Sequence, residues 1–183
     1  MPSLDKLIRE SESYAFSGED MRDMTNNLYK IYRYHELENV DSVDEILGEN
    51  LGCIILYQST MNSGHWCCLF RDGNTCYFFD SYGYNVDEEL KYSEFHMRRH
   101  KGVPVSHLSH LLEQSNYKIV SSPYKLQTDK NQDQTCGRFT GSRLANRNLS
   151  HEEFAHLFTK NKCYSPSWWV TALTGHINNW NEM

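Results

Sequence analysis

The stretch from Gly64 to Gly83, GHWCCLFRDGNTCYFFDSYG, constrains the fold more than any other part of the chain. WCCLF (Trp66 to Phe70) and CYFF (Cys76 to Phe79) are aromatic and apolar runs on either side of RDGN. Asp72-Gly73 is a strong turn signal, so the two runs read as an antiparallel hairpin. A four-residue loop over 71–74 sets Phe70 across from Thr75, and counting outward brings His65 opposite Asp80. Directly opposed residues share a face, with Cβ atoms about 4.5–5.5 Å apart, a distance that suits an imidazole–carboxylate hydrogen bond. Such a carboxylate fixes the tautomer of a histidine base and stabilises its charged form. A slip of one residue would send the two side chains to opposite faces. Gly64 and Gly83 stand at the outer ends of the runs, where chain turns open space for a site.

CIILY (Cys53 to Tyr57) is a third buried-strand run, and YKIV (Tyr117 to Val120) and PYKLQ (Pro123 to Gln127) read as extended. SGED (Ser17 to Asp20) and DSVDEIL (Asp41 to Leu47) are helix starts. VSHLSHLL sets Val105, Leu108, Leu111 and Leu112 on one helical face. The segment from Cys136 to about Asn146 lacks proline and reads as helix. SHEE (Ser150 to Glu153) is a capping box followed by Phe154, Leu157 and Phe158 at helical spacing. In SPSWWVTAL, Ser165 is the N-cap and Pro166 the first helical residue, with Trp169, Ala172 and Leu173 on one face. The expected class is α+β, with helices around a small, mostly antiparallel sheet.

The 183 residues contain no repeat or linker and fit a single domain, 1–183, of the usual size of about 100–200 residues. The formal charge of −6 argues against a general nucleic-acid binder. HMRRHKG (His96 to Gly102) is the densest basic patch and the one place for a local, weak DNA contact. The N-terminus shows no apolar leader, and CIILY is far shorter than the roughly 20 residues a bilayer requires. A protein without membrane contact, in a reducing compartment with six free thiols, is therefore expected.

QTCGRF (Gln134 to Phe139) supplies a nucleophile. Cys136 follows a polar loop and opens the expected helix, where the helix dipole favours a thiolate. A nearby protonated histidine would reinforce that preference. Gly137 would let a substrate backbone come close. Cys53, Cys67, Cys68 and Cys76 sit inside strand-like runs, where a buried cysteine behaves as a small hydrophobe. Cys163 has no base beside it in sequence. Oxyanion donors are available from the backbone amide of Cys136 and from Gln127, Gln132 or Gln134. Gln127 is preferred, because it closes an extended segment. His96, His100, His107 and His110 are spaced like possible zinc ligands, yet no CxxC or HExxH accompanies them. No metal or cofactor is expected.

Gly-His-Trp on a strand, YFFDSYG, a glutamine, and Cys-Gly opening a helix together resemble the adenovirus-type maturation protease family (adenain). More broadly they are similar to the SUMO-protease superfamily of cysteine proteases. The resemblance spans about residues 50–145. The chain order His, Asp, Cys agrees with it, since papain-type enzymes place the cysteine first. The size and the CGRF sequence look most like the proteases of virophages, mavirus among them, and of related double-jelly-roll DNA viruses. The resemblance implies the papain-like, adenain-type fold. It implies Cys136 as nucleophile, His65 as catalytic histidine and Asp80 as the acidic member, with Trp66 the aromatic residue packed beside them. Gln127 matches the family's oxyanion glutamine at a longer spacing from the cysteine than is usual, and Gln132 and Gln134 lie closer than is usual. The implied activity is cleavage of viral capsid or core precursors during virion maturation, by a monomer, in the virion and in the infected host-cell cytoplasm or virus factory. Relatives on the same fold remove ubiquitin-like proteins or transfer acetyl groups.

Overall fold

The computed structural model describes residues 3–99, 101, 105–128 and 133–175. Among these, a five-stranded sheet runs in the order β1 (Lys30–Arg33), β2 (Gly52–Gln58), β3 (Gly64–Asp72), β4 (Thr75–Phe79) and β5 (Lys118–Ser121). The central strands β2, β3 and β4 pair antiparallel, and β1 and β5 join the two edges in parallel. The longer ladders are the antiparallel ones. All of β2 and most of β3 are buried, which is why CIILY and WCCLF are apolar on both faces.

The helices are α1 (Leu4–Glu12), α2 (Gly18–Met24), α3 (Val43–Leu47), α4 (Glu94–Arg99), α5 (His107–Gln114), α6 (Cys136–Ala145), α7 (His151–Thr159) and α8 (Pro166–Thr174). Their starts follow local chemistry. Ser17 and Ser150 form capping boxes with Asp20 and Glu153. Ser42 and Ser165 cap α3 and α8 through their hydroxyls, and Pro166 sits at the first turn of α8.

Side-chain alternation along the strands divides the core. Trp66, Cys68, Phe70 and Phe79 pack with α6, α7 and α8 on one face. Cys67, Leu69, Cys76 and Phe78 pack with α3 and α5 on the other. The sheet thus lies between two helical layers.

The hairpin differs from the sequence expectation in its register. Arg71 pairs with Cys76 and Asp72 with Thr75, so the loop is the two residues Gly73 and Asn74, not 71–74. A two-residue turn with a left-handed Gly73 matches the twist of the strands, and it lets Arg71 stay in β3 and donate to the Tyr117 hydroxyl at 2.7 Å. Phe70 therefore faces Tyr77, and the same register carried outward sets Cys67 against Asp80 and His65 against Tyr82. The slip is by two residues, so every side chain keeps its face.

Three further expectations are corrected. PYKLQ is not a strand: the N–H groups of Leu126 and Gln127 both donate to the Ser81 carbonyl, at 2.8 and 2.9 Å, and hold the segment against the chain just after Asp80. In α8 the buried residues are Ser167, Val170, Thr171 and Thr174, and Leu173 is exposed. The reason is that buried Arg138 needs the Thr174 hydroxyl and carbonyl, at 2.9 and 3.1 Å. Leu157 and Val105 are exposed, and α7 buries His151, Phe154, Ala155 and Phe158 instead.

In the basic patch Arg98 pairs with Glu94 and Arg99 with Glu38. His96 and His107 pack against Tyr34, and His110 pairs with Gln114. His100 and Gly102 lie outside the described residues. No helix among the described residues is long and apolar enough to cross a membrane.

Candidate active site

The site forms where β3 begins, β4 ends and α6 starts. His65 is the second residue of β3, and Asp80 follows directly on β4. Because they are diagonal and not directly opposed, their Cα atoms are expected about 7–8 Å apart, within reach of an imidazole and a carboxylate on one face. His65 Nε2 and Asp80 Oδ1 lie 3.0 Å apart. Gly83, with φ of 75°, lets the chain turn back so that its N–H donates to the Asp80 carbonyl at 3.0 Å. That turn sets the Tyr82 N–H 2.7 Å from Asp80 Oδ1. Cys67 donates its S–H to Oδ2 at 3.4 Å. The carboxylate is thus held by three donors, and the His65 ring stacks on Tyr82 at 4.6 Å.

Cys136 is the first residue of α6, and its thiol lines the same cleft as the His65 ring, close enough to bear on the ring's protonation. Since Nε2 faces Asp80, Nδ1 is the ring nitrogen left for the thiol. The loop before Cys136 is tied down at each step. Asp133 accepts from the Thr135 N–H at 3.0 Å and from the hydroxyls of Thr135 and Ser167. The Gln134 N–H donates to the Glu12 carbonyl at 2.9 Å. The Thr135 side chain, busy with Asp133, does not cap α6. The first helical bond runs from the Phe139 N–H to Thr135, so the N–H groups of Cys136, Gly137 and Arg138 stay outside the ladder. A carbonyl oxygen gaining negative charge at Cys136 Sγ would meet such donors.

Electrostatics follow burial. Burial works against a charge on His65, but the Asp80 carboxylate, with Cys67 and Cys136 adding to it, raises its pKa well above the usual histidine value. Burial pushes the thiols of Cys53 and Cys67 far up, that of Cys68 up to about 12 and that of Cys76 to about 11. None of these four is a nucleophile: Cys53, Cys68 and Cys76 fill the core, and Cys67 serves as a neutral donor to Asp80. All six cysteines are free thiols. Cys136 and His65 each keep 7% of their surface while Asp80 keeps 1%, so the thiol and ring form the reachable part of the group. Both line a cleft of about 230 Å³ together with Gln127, Gln134 and Tyr82.

The other sequence candidates divide. Gln127 lines the cleft, but it is locked: Ser81 donates to its Oε1 at 2.8 Å, and one amide N–H goes to the Asp133 carbonyl. Its second N–H remains as a donor. Gln132 lies outside the described residues. Trp66 packs in the same buried cluster as Cys136, facing away from His65. Its indole donates to the Phe16 carbonyl at 2.8 Å, and its own carbonyl accepts from Thr140 in α6 at 2.9 Å. It therefore fixes β3 against α6. At Gly137 a Cβ would lie 2.7 Å from Phe16 Cβ and 3.1 Å from Met21 Sδ, so the absence of a side chain lets α6 pack closely on the segment from Phe16 to Met21. Cys67 and Tyr82 were missed as site residues. A register set by the two-residue turn would have found both.

His65, Cys67 and Asp80 offer donor atoms within 4.8 Å of one another, a group that could close on a metal ion, although each already hydrogen-bonds within the group.

The fold and site define an α+β chain with a sheet between helical layers and a thiol, an imidazole and a carboxylate gathered at one sheet end. This chain is 35% identical over 150 residues to the uncharacterized protein V9 of Sputnik virophage, aligned over 81% of this chain and 86% of that one, and it belongs to the same family. No family model matches it. Among solved structures it is similar to the crystal structure of the ASFV pS273R protease, at 13% identity and a TM-score of 0.44, over 94% of this chain and 70% of that one.

Proposed function

We propose that the chain is a viral cysteine endopeptidase of the adenain-like kind that cleaves capsid or core precursor proteins during virion assembly. The observation that carries this reading is the Cys136, His65 and Asp80 set: a thiol at an uncapped helix start, in one cleft with an imidazole whose Nε2 lies 3.0 Å from a carboxylate. Membership in a virophage family supports the viral setting.

In the proposed reaction the Cys136 thiol passes its proton to His65, and Sγ bonds to the scissile carbonyl carbon. The carbonyl electron pair moves to oxygen, where the Cys136 N–H and the free N–H of Gln127 receive it. Collapse breaks the C–N bond, and His65 protonates the leaving amine. A water then gives its proton to His65 and its oxygen to the acyl carbon. Cys136 leaves as the new carboxylic acid forms. Asp80 keeps its charge throughout and holds the ring. The raised pKa of His65 suits a ring that must hold a proton between these steps.

The enzyme is proposed to act as a monomer in the virion and the infected host cell. The test is co-expression with the capsid precursor of the same virus. The native chain is expected to give defined cleavage products and the Cys136→Ala chain none. Undiminished cleavage by Cys136→Ala would end the reading.

A further inference from the structure

Helix starts in this chain share one construction. Among the described residues, Ser3, Ser17, Ser42, Ser150 and Ser165 each stand at an N-cap with extended backbone, ψ of 153–172°, and each hydroxyl accepts from the N–H three residues on. Thr135, at the N-cap of α6, departs from it. Its backbone has φ of −89° and ψ of 4°, and its hydroxyl makes no bond to the helix.

A threonine in this position ordinarily caps its helix, and here Asp133 prevents it. Asp133 Oδ1 accepts from the Thr135 N–H, at 3.0 Å, and from the Thr135 hydroxyl, while Oδ2 accepts from the Ser167 hydroxyl on α8. Thr135 and Ser167 also meet at 3.2 Å, so the Thr135 hydroxyl is engaged toward α8 and not with the first turn of α6. Both hydroxyls are buried, which shields these bonds from water. The same residue serves the other side of the cleft, because the Asp133 carbonyl accepts from the Gln127 amide.

An open helix start and a capped one offer different things to a reacting carbonyl. A cap at Thr135 would set its oxygen on the N–H of Gly137 or Arg138 and draw the positive end of α6 onto itself. Left open, that end faces the negative charge that develops on the carbonyl oxygen during attack by Cys136.

Resting on the endopeptidase reading, we infer that Asp133 is a positioning residue that keeps Thr135 from capping α6 and so keeps the start of the nucleophile's helix open to the oxyanion. Asp133 touches no reacting atom. Its effect falls on the transition state and not on the bound substrate.

The experiment is a double-variant cycle in the full chain, read on a peptide that spans a cleavage site of the capsid precursor. Asp133→Ala frees the Thr135 hydroxyl and is expected to lower kcat about tenfold with KM unchanged, the effect of one helix cap. Thr135→Val has no oxygen with which to cap and is expected to keep most of the native rate. Combined with Asp133→Ala, it is expected to bring kcat back to within about twofold of Thr135→Val alone. A double variant as slow as Asp133→Ala would mean that Asp133 only holds the loop together, and it overturns the inference. Should the alanine chain show no cooperative urea transition, Asp133→Glu, whose longer side chain is ill-placed for the Thr135 N–H, runs the same cycle. A second readout needs no peptide cleavage: the rate at which iodoacetamide alkylates Cys136 at neutral pH, by mass spectrometry, with exposed Cys163 as internal reference. That rate is expected to fall about threefold in Asp133→Ala and to recover in the double variant, as the positive helix end is covered and uncovered. Equal alkylation rates in all four chains overturn the inference whatever the cleavage shows. No cleavage by the native chain overturns the endopeptidase reading, and alkylation then decides the role of Asp133 by itself.

Discussion

Cys67 donates its S–H to Asp80 Oδ2 at 3.4 Å, on the side of the carboxylate away from His65. A buried thiol that far from ionising is a neutral donor, and it keeps the carboxylate from rotating. Cys67→Ala, which removes the donor with little change of volume, is expected to lower kcat about fivefold with KM unchanged, the worth of one hydrogen bond. Cys67→Ser restores a donor and is expected to recover most of the rate. Equal rates for the native, alanine and serine chains would leave Cys67 as packing only.

Stability should report the charge on His65. Its folded pKa is raised, so the stabilisation is fully present below its unfolded value of about 6.5 and is lost as pH rises through the folded value. Urea unfolding of Cys136→Ala, chosen to prevent self-cleavage, is expected to show stability falling on the alkaline side of neutrality. The double variant with His65→Gln should lack that fall.

His151 should do the reverse. Burial first, and then the charge of Arg143, lower its pKa to about 4. Its bonds fit the neutral ring, with Nε2 donating to the Val120 carbonyl at 3.3 Å and Nδ1 accepting from Arg143 at 3.5 Å. The unfolded chain takes up a proton from about pH 6.5 downward and the folded chain does not. Stability is therefore lost between about pH 6.5 and 4, by up to roughly 3 kcal/mol. His151→Gln is expected to flatten this acid limb, measured by denaturant midpoints at several pH values.

Gly137→Ala separates packing from substrate approach. With Phe16 Cβ only 2.7 Å from the new atom, α6 and the segment leading into α2 must part, at a cost of about 1–3 kcal/mol. A lowered Tm with unchanged KM is expected. A raised KM at full stability would return Gly137 to the substrate wall.

Helix starts were legible because their signals are local: Ser17, Ser42, Ser150 and Ser165 each cap the helix that the sequence announces. The proximity of His65 and Asp80 was legible for a subtler reason. The loop length was misjudged, but an error of two residues preserves the face, and an imidazole spans the diagonal. What escaped is what depends on long-range partners. Nothing local says that Arg138 and Arg143 are fully buried, one over Phe16 and bonded to Thr174, the other over Phe70 and Phe154. That burial in turn decides which side of α8 faces inward, so a hydrophobic count alone chose the wrong one. Asp133 reads as a loop residue, and only the folded chain brings Ser167 to it.

The N-terminal segment grips both halves of the site: the Glu12 carbonyl takes the N–H of Gln134, two residues before Cys136, and the Phe16 carbonyl takes the indole of Trp66, the neighbour of His65. Ser11 adds a third grip, on Arg138. These residues contribute no reacting atom and lie far outside the stretch in which the chemistry is recognisable, yet they act as a brace across two parts of the chain that are otherwise separate in sequence. A shortened chain beginning at β2 would keep every reacting group and lose the strut that sets their spacing.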